Sequence, residues 1–292
     1  MEWAKIAQYF SYVAEPGAAN TFIIGAVGAF FGAVGAQVIA SRFHRRQMIV
    51  RELNAVNGAM THCFAITNHL FSLKKDYISQ IHAEYMRERG RYLNFLEEKK
   101  NHTGPQPLAF NYHADLRTLP NTFVNPAPLE RLVFEAISFR GLGLATAVAL
   151  FSTLDELDAL LAERNELARE IRQIPPDEPE YKVNVYFGAD TANGVTDQRY
   201  YSCMEGLASL TDHAITFSML LADKLYAHGK RLRLRGVWRS FLIGLPRVDS
   251  IDWSTAESDG LIPRDVDSTA FVNAFQPAPG MFLKLWRRLA KR

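Results

Sequence analysis

Hydrophobic and polar positions alternate in long blocks along this chain. Residues 21–40 read TFIIGAVGAFFGAVGAQVIA, with no formal charge, and four of the next six residues are Arg or His. A helix of about 20 residues rises about 30 Å, the thickness of a bilayer's hydrocarbon core. Gly25, Gly28, Gly32 and Gly35 fall within this run. Each weakens a helix in water by about 1 kcal/mol relative to Ala. In lipid no alternative satisfies the backbone, so a glycine-rich helix persists there. The pattern therefore predicts a transmembrane helix over residues 21–41 rather than a soluble core helix. A secretory leader fits less well, because such leaders begin with basic residues and carry a shorter apolar stretch. Here the preceding charges are Glu2, Lys5 and Glu15, and the positive residues Arg42, Arg45 and Arg46 follow the run. The positive-inside rule then puts the short N-terminal segment, residues 1–20, outside and the rest of the chain in the cytoplasm. Trp3, Tyr9, Phe10 and Tyr12 suit the outer water–lipid boundary.

Within the span, Gly25, Ala29, Gly32 and Ala36 share one helical stripe, and Gly28 with Gly32 forms a GxxxG pair. Small residues on one face let two helix backbones approach closely in lipid. Self-association through this face is the expectation.

Beyond the span the rhythm changes to steps of three and four. Ile49, Leu53, Val56, Met60, Cys63, Leu70, Tyr77 and Ile81 form an apolar seam in a proline-free stretch. That predicts a helix over about 42–100, continuous with the span. Residues 101–128, rich in Pro and Asn, read as a surface loop. A short helix is expected over 129–139, broken by Arg140-Gly141-Leu142-Gly143. Leu150, Leu154, Leu157, Leu161, Ala168 and Ile171 mark a second helix over 144–173, stopped by Pro175-Pro176. Residues 177–193 read as irregular, with the alternation at 181–186 suggesting one short strand. Cys203, Leu207, Leu210, Ala214, Phe217 and Leu221 mark a third helix over 196–233. Amphipathic helices of this length must bury their seams. The expected architecture is all-α, with the transmembrane helix continuing into a cytoplasmic antiparallel bundle across residues 42–235. Residues 236–280 read as an irregular segment laid on that bundle.

The final twelve residues, 281–292, read MFLKLWRRLAKR. Phe282, Leu285, Trp286 and Leu289 form one apolar stripe, while Lys284, Arg287, Arg288, Lys291 and Arg292 supply only positive charge. Such a basic amphipathic helix suits the surface of an anionic bilayer. A second basic cluster, Lys230, Arg231, Arg233, Arg235 and Arg239, favours a helix C-terminus and equally suits an acidic partner.

Composition adds little. A net charge of +2 across 292 residues gives no reason to expect nucleic acid. Two cysteines, Cys63 and Cys203, are too few for a disulfide framework and read as buried thiols. His62 and His69 are seven residues apart, too distant along one helix to share a metal. Asp212 and His213 are adjacent, so their side chains diverge by about 100°. Asp155, Glu156 and Asp158 read as a solvated face, and Asp197, Arg199, Tyr200 and Tyr201 as the wet start of the third helix. No phosphate-binding, dinucleotide, zinc-protease, hydrolase-elbow or kinase motif is present. No cofactor or metal is implied.

These features describe a single-pass protein of a bacterial inner (plasma) membrane, acting as an anchored helical interaction module, with the bilayer, a second copy of itself and an unidentified protein as partners. Two other readings remain open. One is a pore-forming effector restrained by its cytoplasmic helices. The other is an enzyme whose site is assembled between helices.

Overall fold

The computed structural model describes residues 16–103, 109–120, 125–189, 196–240 and 244–263. Side chains are described from Gly25 in the first helix and to Leu234 in the last long one. The elements of regular structure are all helices, and no strand occurs among the described residues. α1 (Pro16–Leu73) carries the apolar N-terminal run. A π-helical turn, Lys74–Ile78, follows and passes directly into α2 (Ser79–Asn101). α3 (Ala127–Arg131) leads into a second π-helical turn, Leu132–Ala136. Then come α4 (Leu142–Gln173), α5 (Pro179–Phe187), α6 (Arg199–Ser240) and the short α7 (Ser254–Ser258).

The boundaries have local causes. Ile137 is already extended, and Gly141 at φ 59°, ψ −128° takes a backbone conformation open only to glycine. That glycine separates the second π turn from α4. α4 ends at Gln173 because Pro175 and Pro176 cannot continue the ladder. α5 starts with Pro179 in its first turn and ends on Gly188 in the left-handed region. The Ala189 N–H donates to the Asn184 carbonyl at 3.0 Å and closes that cap. The segment expected to hold a strand, 181–186, is thus helical. Val183, Asn184, Val185, Tyr186 and Phe187 are all buried, so no polar face survives to reveal the helical period.

The chain divides into two compact units, residues 1–53 with 231–246, and residues 54–230 with 247–292. The second holds the larger core. Val56, Ala59, Cys63, Leu70, Leu150, Leu157, Leu161, Leu207, Ile215, Leu221 and Leu225 are almost wholly excluded from solvent. Polar links register the helices. Thr67 Oγ1 meets Ser218 Oγ at 2.7 Å, the Lys74 ammonium pairs with Asp212 at 2.7 Å, and His82 Nε2 meets Glu205 at 2.9 Å. Between α4 and α6, the Cys203 thiol reaches the Leu160 carbonyl at 3.5 Å and Arg199 pairs with Glu170 at 3.2 Å.

An aromatic centre joins α2, α5, α6 and the irregular residues 109–120. Tyr85 lies 5.4 Å from Tyr186 and 5.7 Å from Tyr200, ring centre to ring centre. Tyr92 lies 5.1 Å from Phe187 and 5.0 Å from Phe110. Offset and edge-on ring pairs of this kind add about 0.5–1.5 kcal/mol each beyond their burial. Tyr200 is only 1% exposed, which corrects its reading as a wet helix start. The wet residues there are Asp197 and Arg199, which pair with each other at 3.0 Å.

Candidate functional site

The first candidate is the surface of α1. Every side chain from Gly25 to Met48 is exposed. Phe30, Phe31 and Ile39 are 66%, 68% and 70% exposed, far outside the range of a core helix. Val27, Val34 and Val38 join them. Leaving such a side chain in water rather than an apolar medium costs about 1.5–3 kcal/mol each. The stretch is long and apolar enough to cross a membrane, and none of its most apolar window is buried in the chain's own fold.

The small-residue face lies on the same exposed surface. Among the described residues of one copy, no atom lies within 4 Å of a Cβ placed at Gly25, Gly28, Gly32 or Gly35. Ala29 and Ala36 are exposed too. Arg42, Arg45 and Arg46 follow on the same helix, all exposed, and Ser41 donates to the Val38 carbonyl at 3.0 Å. That hydroxyl bond satisfies a backbone oxygen at the polar end of the run. The expected lipid-contact residues Phe282, Lys284, Leu285, Trp286, Arg287, Arg288, Leu289, Lys291 and Arg292 lie outside the described residues. So do Trp3, Tyr9, Phe10 and Tyr12, and the side chains of Arg235 and Arg239.

The groups with chemical potential have structural partners. Asp212 pairs with Lys74 rather than with His213, whose Nδ1 faces Ser209 Oγ at 3.4 Å. Among the described residues no group of three His, Cys, Asp or Glu side chains converges closely enough to hold a metal ion. Burial pushes the Cys63 and Cys203 thiols up to about 12, so neither supplies a thiolate at neutral pH. Burial likewise pushes the Tyr85 and Tyr186 phenols upward and holds them protonated.

One buried charge stands out. Arg164 is 0% exposed, and its guanidinium donates to the Asp115 carbonyl at 2.9 Å and to the Arg117 carbonyl. Asn165 accepts from the Leu119 N–H at 2.8 Å and donates to the Leu119 carbonyl at 2.9 Å. Two neighbouring residues of α4 therefore hold the irregular segment 109–120 by the backbone of Asp115, Arg117 and Leu119. Tyr200 donates to the same Asp115 carbonyl at 3.3 Å. Sequence reasoning missed this cluster, because Tyr85, Asp115, Arg164, Tyr186 and Tyr200 come from five separate segments. The only sequence signal was the density of Tyr and Phe around residues 85–112 and 181–201.

A concavity lies in the larger unit, between α1 beyond Asn54 and the residues around α7. Phe64, Phe71 and Trp253 line it, with Lys75, Asp76, Asp252 and Asp259 at its edge.

No protein-family model matches this chain, and no curated protein or solved structure matches it significantly.

Proposed function

We propose that the chain is a single-pass membrane protein whose first helix spans the bilayer over residues 21–41 and anchors a helical interaction module. The observation that carries this reading is the uninterrupted exposure of an uncharged, strongly apolar helical stretch from Gly25 to Ser41. In water that surface has no cover from the described residues; in a bilayer its exposure is favourable. Arg42, Arg45 and Arg46 directly after the stretch support an N-out, C-in orientation in a bacterial inner membrane.

The module itself reads as an antiparallel bundle. Its support is the descending order of partners: positions 67, 74 and 82 meet 218, 212 and 205, and positions 160 and 170 meet 203 and 199. The unpartnered stripe of Gly25, Gly28, Ala29, Gly32 and Ala36 supports association with a second copy within the bilayer. The chain acts by binding and assembly at the membrane, with its basic C-terminal residues 281–292 as a second lipid contact.

Cysteine accessibility in intact bacterial cells tests the reading. In a variant lacking both native cysteines, single probes are placed at Ala18 and Ser258. An impermeant reagent labelling position 18 alone is the expected result. Labelling of position 258 alone reverses the topology. Release of the protein by alkaline carbonate overturns the membrane span.

A further inference from the structure

The concavity beside the first π-helical turn has the makings of a ligand site. It is an open cleft of about 390 Å³, within the size range of small-molecule pockets. Phe64, Asn68, Phe71, Ser72, Lys75 and Asp76 project from one face of the helix, and residues 252–261 lie across them. Trp253 also lines the cleft and packs directly against two of these side chains. Its ring centre lies 5.9 Å from Phe64 at 36° and 6.2 Å from Phe71 at 80°. Three rings at different angles make walls rather than a closed stack. Phe71 is buried beneath them, while Phe64 stays 42% exposed toward the opening.

The wall is held in place independently of any occupant. Lys74 donates to the Leu261 carbonyl at 3.2 Å and pairs with Asp212, while its neighbour Lys75 pairs with Asp259 at 3.0 Å. Asn57 Nδ2 donates to the Arg247 carbonyl at 2.9 Å. Adjacent lysines both reach the same short segment from the π turn, a helix irregularity that recurs at functional sites.

The charge of the rim selects the ligand. Three carboxylates, Asp76, Asp252 and Asp259, face one ammonium, that of Lys75. Lys75 is already matched by Asp259. Asp252 accepts the Ser254 N–H at 3.0 Å, which holds its carboxyl below the usual range and keeps it ionised. The Asp76 carboxylate has neither a hydrogen bond nor an ion pair among the described residues. An anion would meet net repulsion here. A wholly apolar occupant would strip water from carboxylates it cannot satisfy. A metal ion lacks a convergent donor set among the described residues.

We propose that this cleft binds a small organic cation of the alkylammonium class, with its charge against the Trp253 and Phe64 ring faces and the Asp76 and Asp252 carboxylates, and its alkyl part over Phe71. Aromatic faces attract such cations through the ring quadrupole, and nearby carboxylates add Coulomb attraction. The site stands whether or not the first helix crosses a membrane.

The test uses the full-length chain in maltoside detergent and two probes of matched shape, choline and its neutral isostere 3,3-dimethyl-1-butanol. Ligand-observed NMR saturation transfer is followed against concentration at constant ionic strength. Saturable binding of choline is expected, with the neutral isostere at least about tenfold weaker. The double variant Asp76→Asn with Asp252→Asn, both exposed, and the variant Trp253→Leu should each weaken choline binding about tenfold. Melting curves establish that each variant is folded. If Trp253→Leu does not fold, the exposed aspartate variant decides alone. Non-saturable choline signal, equal binding of the neutral isostere, or undiminished binding by the folded aspartate variant overturns the proposal.

Discussion

Thr67 Oγ1 lies 2.7 Å from Ser218 Oγ, and both hydroxyls also turn toward the Cys63 carbonyl, at 2.8 and 3.3 Å. Both residues are 0% exposed, so this is a dry polar contact between α1 and α6. Each hydroxyl retains the Cys63 carbonyl if the other is lost. Thr67→Val should therefore cost about 1–2 kcal/mol, because Ser218 keeps an acceptor. The double change Thr67→Val with Ser218→Ala should cost less than the sum of the singles, since each single already removes the one bond that the two hydroxyls share. Denaturant melts of the three variants measure the coupling. Strict additivity would show that the two hydroxyls act separately.

Two helix glycines should respond to Ala in opposite directions. Around Gly90 a new Cβ meets nothing within 4 Å, so Gly90→Ala should stabilise α2 by about 1 kcal/mol. At Gly229 the new Cβ would lie 2.9 Å from one methyl of Val248 and 3.2 Å from Val56. β-Branched side chains have little freedom to move aside. Gly229→Ala should therefore lose about 1–3 kcal/mol despite its better helix propensity. Thermal melts of both variants give the signs directly.

Alkaline pH should unfold the larger unit through its tyrosines. Burial raises the Tyr85, Tyr92 and Tyr186 phenols, Tyr92 to about 12, from an ordinary value near 10. Between these values the unfolded chain loses the phenolic proton and the folded chain keeps it. Stability is therefore complete below pH 10 and falls as the pH climbs toward 12. Tyrosinate absorbance near 295 nm and helical circular dichroism should change together as pH rises. Ionisation of these tyrosines without loss of helix would contradict the buried centre. Tyr92→Phe should also lower stability at neutral pH by about 1–3 kcal/mol, because it strands Asn184 Oδ1, its partner at 2.5 Å.

The glycine face makes a prediction that separates folding from assembly. A Cβ added at Gly28 or Gly32 meets nothing within 4 Å among the described residues, and both positions lie outside the larger unit, so Gly28→Ile with Gly32→Ile leaves that unit's packing untouched. The larger unit should melt unchanged. A reporter of transmembrane-helix association should lose most of its signal, because bulky side chains hold the two backbones apart. Unchanged association would remove this stripe as the contact.

Arg164 should prove costly to shorten. Its guanidinium is the joint donor to the Asp115 and Arg117 carbonyls, and Lys cannot present two donors in one fixed plane. Arg164→Lys should lose about 2–4 kcal/mol and raise amide exchange across residues 109–120. Exchange confined to other segments would assign the arginine a different role.

The sequence alone determined what depends on sums over neighbours in the chain. An apolar helix near the N-terminus follows from residues 21–40 without reference to anything else, since length and hydropathy are local quantities. The all-helical character is equally local, carried by spacings such as Leu150, Leu154, Leu157 and Leu161. Where burial is complete, as from Val183 to Phe187, the periodic signal vanished and a helix read as a strand. Only the tertiary structure decided which residues meet. It took Tyr200 from an expected wet helix start into a buried ring cluster, and it gave Asp212 to Lys74 rather than to His213. It also placed Trp253 against Phe64 and Phe71, across nearly two hundred residues of chain. Such contacts are set by how helix faces pack in three dimensions, and one-dimensional spacing carries no record of them.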